Sequence, residues 1–384
     1  MTVSTQSKKK IKRHFNYDAA LLFPILFLVG FGIVMVYSAS SALSLKVHGH
    51  GYFYLKRQAG FSLIGIIAMF LCCHFPYRIF RHVVYPLLFL AVGLLVLVLV
   101  PGFGVTAGGS TRWLGLAGLT FQPSELARLA LVMYLAYSLT KKQAKLDTFS
   151  IGFVPHVIVL AVLVVLIGME PDFGSIVILT ILAWIMMFTA GVRIPHLLVP
   201  LPVILAGFAY FLISAPYRMA RLVSFLNPWA YASDQGYQVV HSQMAFGTGG
   251  IVGTGLGHSY QKLFFLPEPH TDFIFSVIGE EVGLVGVTII VVLYGVIVWR
   301  GIGIARHCPD PFGALVALGL TAAIALQVCV NMGVTLGLLP PKGLPLPFLS
   351  YGGTSMVIST ISVGILMNIG GQPSVGMKKQ GGVR

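Results

Sequence analysis

The sequence predicts an all-α polytopic membrane protein with ten transmembrane helices, both termini in the cytoplasm and a long extracytoplasmic loop between the seventh and eighth spans. Three observations point there. The 384-residue chain is 57% hydrophobic and 9% charged, and its mean hydropathy is +0.89. Its apolar runs are about 17 to 25 residues long, the length a helix needs to cross a bilayer. Its lysines and arginines fall about twice as often on the side of the termini as on the other, which places that side in the cytoplasm. A soluble globule is excluded. The net charge of +14 follows from that asymmetry and from attraction to anionic headgroups, and gives no ground for nucleic-acid binding.

The expected spans are 17–39, 58–73, 83–100, 121–138, 154–169, 175–190, 197–213, 273–299, 312–334 and 351–369. The first follows Lys8-Lys9-Lys10-Ile11-Lys12-Arg13. It is too long for a removable signal peptide and lacks a small-residue cleavage site, so it reads as an anchor. The organisation is then a basic cytoplasmic segment (1–16), one transmembrane domain (17–370) and a short basic tail (371–384). Cys72, Cys73, Cys308 and Cys329 show neither a disulfide framework nor a zinc-ligand spacing.

Two outer loops are longer than a simple connection. Residues 101–120 are Gly-rich and set Trp113 beside Arg112 at headgroup depth. Residues 215–271 far exceed ordinary connection length, a sign of function. In that loop, 237–246 reads as a short amphipathic helix in the interface, with Tyr237, Val240 and Met244 on one face. The following Gly247–Gly257 run has the spacing of neither a dinucleotide fingerprint nor a P-loop, and reads as tight turns and close backbone packing.

Acidic residues near lipid need a reason to be there. Of eleven, Asp234, Glu268, Asp272, Glu280 and Glu281 cluster in or just beyond the long loop. Glu125 and Arg128, three apart on one helical face, form either a structural ion pair or a substrate contact. Glu170-Pro171-Asp172 is either a solvated helix end or part of a substrate site. Gln327 and Asn331, four apart, suit interhelical hydrogen bonding. His270 reads as a polar loop residue, and Glu280 and Glu281 as buried partners for Arg128 or other polar groups. Asp272 stands where polar loop becomes apolar helix. It is open to two readings, a helix N-cap or a carboxylate whose basicity is raised by desolvation and which serves as a base.

Gly109-Ser110-Thr111-Arg112-Trp113, Gln122-Pro123-Ser124-Glu125, Pro171-Asp172-Phe173-Gly174, Asn227-Pro228-Trp229, Gln261-Lys262, Leu266-Pro267-Glu268-Pro269-His270-Thr271-Asp272-Phe273-Ile274-Phe275, Gly279-Glu280-Glu281, Leu339-Pro340-Pro341-Lys342-Gly343-Leu344-Pro345-Leu346-Pro347 and Ser350-Tyr351-Gly352-Gly353 occur in the order in which the SEDS family (shape, elongation, division and sporulation) carries them. The chain strongly resembles that family over almost its whole length. Asn227-Pro228-Trp229, Met244-Ala245-Phe246-Gly247 and Lys342-Gly343 are most like the cell-division branch, with the elongation branch a near relative. Departures are mild: Arg128 stands where Lys is common, and Glu170 where Gln is common.

The resemblance implies a peptidoglycan glycosyltransferase of the bacterial inner membrane, with its active site on the extracytoplasmic side, that polymerises lipid II with Asp272 as catalytic residue. It implies a class B penicillin-binding protein (transpeptidase) and other division or elongation machinery as partners. A sugar diphosphate is already an activated donor, so one base and compensating cations suffice, unlike the carboxylate pair of glycoside hydrolysis. The substrate-binding candidates are Arg112, Arg218, Arg221, Lys262, Lys342, His270 and Ser350. The supporting candidates are Glu125, Arg128, Asp172, Glu280 and Glu281. A divalent cation such as Mg or Mn is a further candidate for charge compensation. Two other classes compete. A lipid II flippase would use charged residues along a transport path, whereas these acids gather at one face; a noncatalytic division scaffold would need none of them.

Overall fold

The computed structural model describes residues 18–107, 110–116, 119–213, 216–234, 236–263 and 265–371. The basic segments expected at 1–16 and 371–384 lie outside the described residues, Gly371 apart. In chain order the elements are α1 (Ala19–His48), α2 (Phe53–His74), α3 (Phe80–Leu99), strands β1 (Gly104–Ala107), β2 (Ser110–Leu116) and β3 (Leu119–Phe121), α4 (Pro123–Lys141), α5 (Val154–Met169), α6 (Phe173–Ala190), the short α7 (Ile194–Leu198), α8 (Leu201–Ile213), α9 (Pro216–Leu226), α10 (Tyr237–Gly249), α11 (Ile274–His307), α12 (Pro311–Thr335) and α13 (Gly353–Gly370).

Among the described residues eight helices are long and apolar enough to cross a membrane. These are eight of the ten expected spans. The other two differ for physical reasons. The expected span at 121–138 is helical as α4, but Glu125, Arg128 and Lys141 lower its apolarity. It is buried around most of its circumference, so protein and not lipid surrounds its charges. The span expected at 197–213 is divided between α7 and the 13-residue α8, short for a bilayer. Elsewhere large apolar side chains face outward, Phe89 at 73% and Phe23 at 67% exposure. That pattern suits a lipid solvent, where outward apolar surface carries no penalty.

The architecture is not purely helical. The loop expected at 101–120 folds into a three-stranded antiparallel sheet in the order β1-β2-β3. Val105 pairs with Trp113, Leu114 pairs with Phe121, and a bulge lies between Val105 and Thr106. The long loop is also mostly built. Of its two helices, α9 is the amphipathic one, whereas α10, expected to lie in the interface, buries Val239, Val240, Ser242, Ala245 and Gly249. Ser242 hydrogen-bonds Ser276 at 2.5 Å and the Thr335 carbonyl, so α10 is docked on α11 and α12. Of the apolar face expected to lie in the interface, Val240 is instead buried in the protein, while Met244 is 42% exposed.

The Gly-rich run after α10 enters a break in α11. Gly283 has φ +62°, a conformation that favours glycine. The Leu284 and Val285 amides donate to the Gly250 and Ile251 carbonyls at 2.9 and 3.2 Å, while the Thr254 and Gly255 amides donate to the Glu280 and Glu281 carbonyls at 2.9 and 3.0 Å. The loop thus satisfies the backbone groups that the break would orphan. The approach is very close: a Cβ on Gly249 would lie 2.0 Å from the Gly279 carbonyl oxygen. At the other end of the bundle, Arg300 binds Asp18 at 2.6 Å and Arg81 binds Asp310 at 2.5 Å. These ion pairs join α1 to α11 and α3 to the start of α12.

Candidate active site

Asp272 lies at the entrance to α11. The capping reading fails, because the N-cap is Phe273 and no side chain caps the helix. Instead the Asp272 backbone is fixed from behind: Asn331 Nδ2, on α12, donates to the Asp272 carbonyl at 2.9 Å and to the Leu344 carbonyl at 2.6 Å. Its side chain is half-buried, and no hydrogen bond among the described residues occupies its carboxylate. A Cβ on Gly343 would fall 2.9 Å from Asp272 Oδ2, so glycine there lets the backbone approach the acid.

Gly343 belongs to a proline-rich loop, 339–351, that descends among the helices. Prolines lack an N–H and their carbonyls need donors. Buried side chains supply them: Gln327 Nε2 donates to the Pro345 carbonyl at 2.8 Å, and the Tyr294 hydroxyl to the Pro347 carbonyl. Of Gln327 and Asn331, both expected to bond helix to helix, Gln327 does so in part, donating also to Ser355 Oγ on α13 at 3.3 Å. Both bond mainly to loop backbone. Ser350, expected at the substrate, is buried and accepts from the Leu346 amide at 2.7 Å. It shapes the loop. Lys342 on the same loop sets its ammonium 5.4 Å from the Phe173 ring centre, at the start of α6.

Burial raises the Asp272 carboxyl pKa to about 7. Glu268 and Asp172 push in the same direction and Arg112 opposes. The charges around the acid are thus Glu268, Arg112 and Asp172. Arg112, on β2, donates to the Pro171 and Glu170 carbonyls at 2.5 and 3.3 Å, with Asp172 Oδ1 at 4.0 Å. The sheet that the sequence did not announce is what presents this cation. Asp172 caps α6 and accepts from the Ser175 and Ser124 hydroxyls at 2.7 and 3.3 Å.

The Glu170–Asp172 turn is not solvated. Both acids are buried, at 1% exposure, and neither carboxylate oxygen of Glu170 has a hydrogen-bond partner. Burial first and Asp172 second raise the Glu170 pKa to about 8, against Arg112. Of the two readings of this turn, a solvated helix end and part of a substrate site, the burial of Glu170 and Asp172 removes the first. His270 is likewise buried, at ring-centre distances of 4.6 Å from Tyr54 and 5.6 Å from Tyr351. Burial lowers its pKa, with Glu268 opposing.

The remaining candidates separate from the acid. Lys262, expected as an outward cation, is buried in an ion pair with Glu281 at 2.8 Å and donates to Ser38 at 2.9 Å. Glu280 accepts from the Ser259 hydroxyl and from the Tyr260 amide at 3.0 Å. Neither glutamate pairs with Arg128, which binds Glu125 on its own helix. The side chains of Arg218 and Arg221, on α9, lie outside the described residues. The divalent ion finds no group of three or more His, Cys, Asp or Glu side chains among the described residues. No step below uses a metal.

Comparison with known proteins agrees with this architecture. The family model described as cell cycle protein, covering FtsW, RodA and SpoVE, matches residues 19–374. The chain is 44% identical over 363 residues to the probable peptidoglycan glycosyltransferase FtsW of Geobacter metallireducens, covering 94% of this chain and 96% of that protein. It is 42% identical over 352 residues to the stage V sporulation protein E of Bacillus subtilis, covering 92% and 96%. Among solved structures, a chain of a peptidoglycan synthase complex coordinating polymerization and crosslinking aligns with TM-score 0.76 and 29% identity over 92% of this chain and 97% of that one. The rod shape determining protein RodA of Thermus thermophilus aligns with TM-score 0.67 and 28% identity over 93% and 97%.

Proposed function

This chain belongs to the FtsW, RodA and SpoVE family of cell cycle proteins, and from that premise we propose that it is a peptidoglycan glycosyltransferase polymerising lipid II at the outer face of the bacterial cytoplasmic membrane. The observation that carries the reading is Asp272: a half-buried carboxylate with no hydrogen-bond partner among the described residues, a pKa near neutrality and a backbone anchored by Asn331. In the reaction, Asp272 takes the proton of the acceptor sugar hydroxyl as that oxygen attacks the donor anomeric carbon. The bond from that carbon to the diphosphate breaks, and the electron pair leaves on the diphosphate. Arg112, whose charge opposes the rise of the Asp272 pKa, and Lys342, next in sequence to Gly343, suit charge compensation. The positive-inside distribution supports an extracytoplasmic site. The likeness to a chain of a synthase complex supports a class B penicillin-binding protein as partner, within division or elongation machinery.

The test is reconstitution of the purified protein with lipid II, alone and with its transpeptidase partner. Glycan strands made by the parent and lost in Asp272→Asn support the enzyme. Lipid II transfer across the bilayer without polymer would establish a flippase. Neither activity in either setting would leave a scaffold.

A further inference from the structure

At the end of the bundle opposite Asp272 a cavity of about 450 Å³ opens between the start of α1, the last turns of α11 and the end of α13. Asp18, Trp299, Arg300, Gly303, Arg306 and Gly370 line it. With 34 residues in α11, a rise of 1.5 Å per residue places it up to roughly 50 Å from the acid. Its charge is positive. Arg300 is held by Asp18, whereas Arg306 is exposed and has neither an ion pair nor a hydrogen bond among the described residues.

An apolar lane leads into the cavity along the inner half of α11. Val285, Val292 and Trp299, seven residues apart, are 53%, 57% and 69% exposed, and Arg306 is the next residue in that series. Gly295 and Gly303 leave bare backbone between them, since a Cβ at either would meet nothing within 4 Å. A Trp at this depth marks the membrane interface. Basic pockets between spans on the cytoplasmic side are suited to anionic headgroups.

We propose that this cavity binds an anionic glycerophospholipid of the leaflet on the side of the termini. Arg306 is the principal phosphate ligand and Arg300 the second, with an acyl chain lying along the Val285–Val292–Trp299 lane. The open space at Gly303 is the room the glycerol backbone requires.

The test is native mass spectrometry of the full chain in neutral detergent, titrated with phosphatidylglycerol, with phosphatidylcholine and with inorganic phosphate. The parent should retain phosphatidylglycerol over phosphatidylcholine. Arg306→Gln should weaken that retention about fivefold, near the effect of one cation at an anionic surface, while Arg306→Lys keeps most of it. Gly303→Leu sets its Cβ where nothing lies within 4 Å and extends into the cavity, so it should lower retention with a nearly unchanged melting temperature. That variant keeps the idea testable should Arg306→Gln fold poorly. Equal retention of the two lipids by the parent, retention indifferent to both variants, or inorganic phosphate displacing phosphatidylglycerol at the same midpoint would each overturn the proposal.

Discussion

At the scale of single residues the proposed chemistry rests on Asp272, and burial raises the pKa values of two acids, Asp272 and Glu170. Asp272→Asn is nearly isosteric and removes the base, so polymerisation should fall by about 10²- to 10⁴-fold while lipid II binding persists. A folded variant that polymerises at the parent rate would end the assignment. With a pKa of about 7, polymerisation should rise with pH about tenfold per unit below 7 and level above it, as read from initial rates. The folded pKa exceeds the ordinary carboxylic value of 3.8, so the stability this group contributes is full below about pH 4 and is lost as the pH rises through about 7. Asp272→Asn should therefore melt higher than the parent at pH 8 and alike at pH 4. Glu170 is protonated below about pH 8, so Glu170→Gln should leave thermal stability at pH 7 nearly unchanged. The sequence exposed the first of these acids because a carboxylate at a polar-to-apolar boundary stands out. It could not decide between the two readings of the second, whose burial depends on β2 folding Arg112 across the turn.

At the scale of elements, buried charge decides what α4 and α11 tolerate. Glu125→Gln or Arg128→Met alone leaves an unpaired charge in the bundle, at a cost of about 3 to 5 kcal/mol. Each should lower folded yield, and the double change should recover it, as measured by size-exclusion chromatography. Lost activity with normal yield in both singles would instead indicate substrate contact. The pair was legible in the sequence because three residues on a helix is a fixed geometry. The Lys262–Glu281 pair was not, since nothing local tells that 258–263 folds back against α1 and α11. For the same reason the buried face of α10 was misjudged: Gly249 lies against the Gly279 backbone and Ser242 against Ser276, so close approach and hydrogen bonding, not apolar periodicity, seat it. Gly249→Val should accordingly abolish folded yield, whereas Gly247→Val, with nothing within 4 Å of an added Cβ, should be tolerated.

At the scale of the whole molecule, hydropathy was the readable signal, and eight helices meet it. The sheet of β1 to β3 was unreadable because its strands are four, seven and three residues long, too short to show alternation, and because they follow glycines that read as loop. Orientation is open to direct measurement. In a chain with its four native cysteines replaced, a cysteine at Ser233 should react with an impermeant reagent from outside, and a reporter after Lys379 should be cytoplasmic; labelling of Ser233 only after lysis would invert the site. The break at Gly283 bears on how such a molecule lives in a bilayer. Because residues 250–255 are stitched to both sides of that break by four backbone hydrogen bonds, two from Leu284 and Val285 and two to Glu280 and Glu281, the stub that begins at Ile274 and the first turn of the long remainder are clamped to one loop. A bilayer that thins or thickens must strain that clasp before the remainder can tilt about the glycine, and until then the acid keeps its bearing toward Gly343.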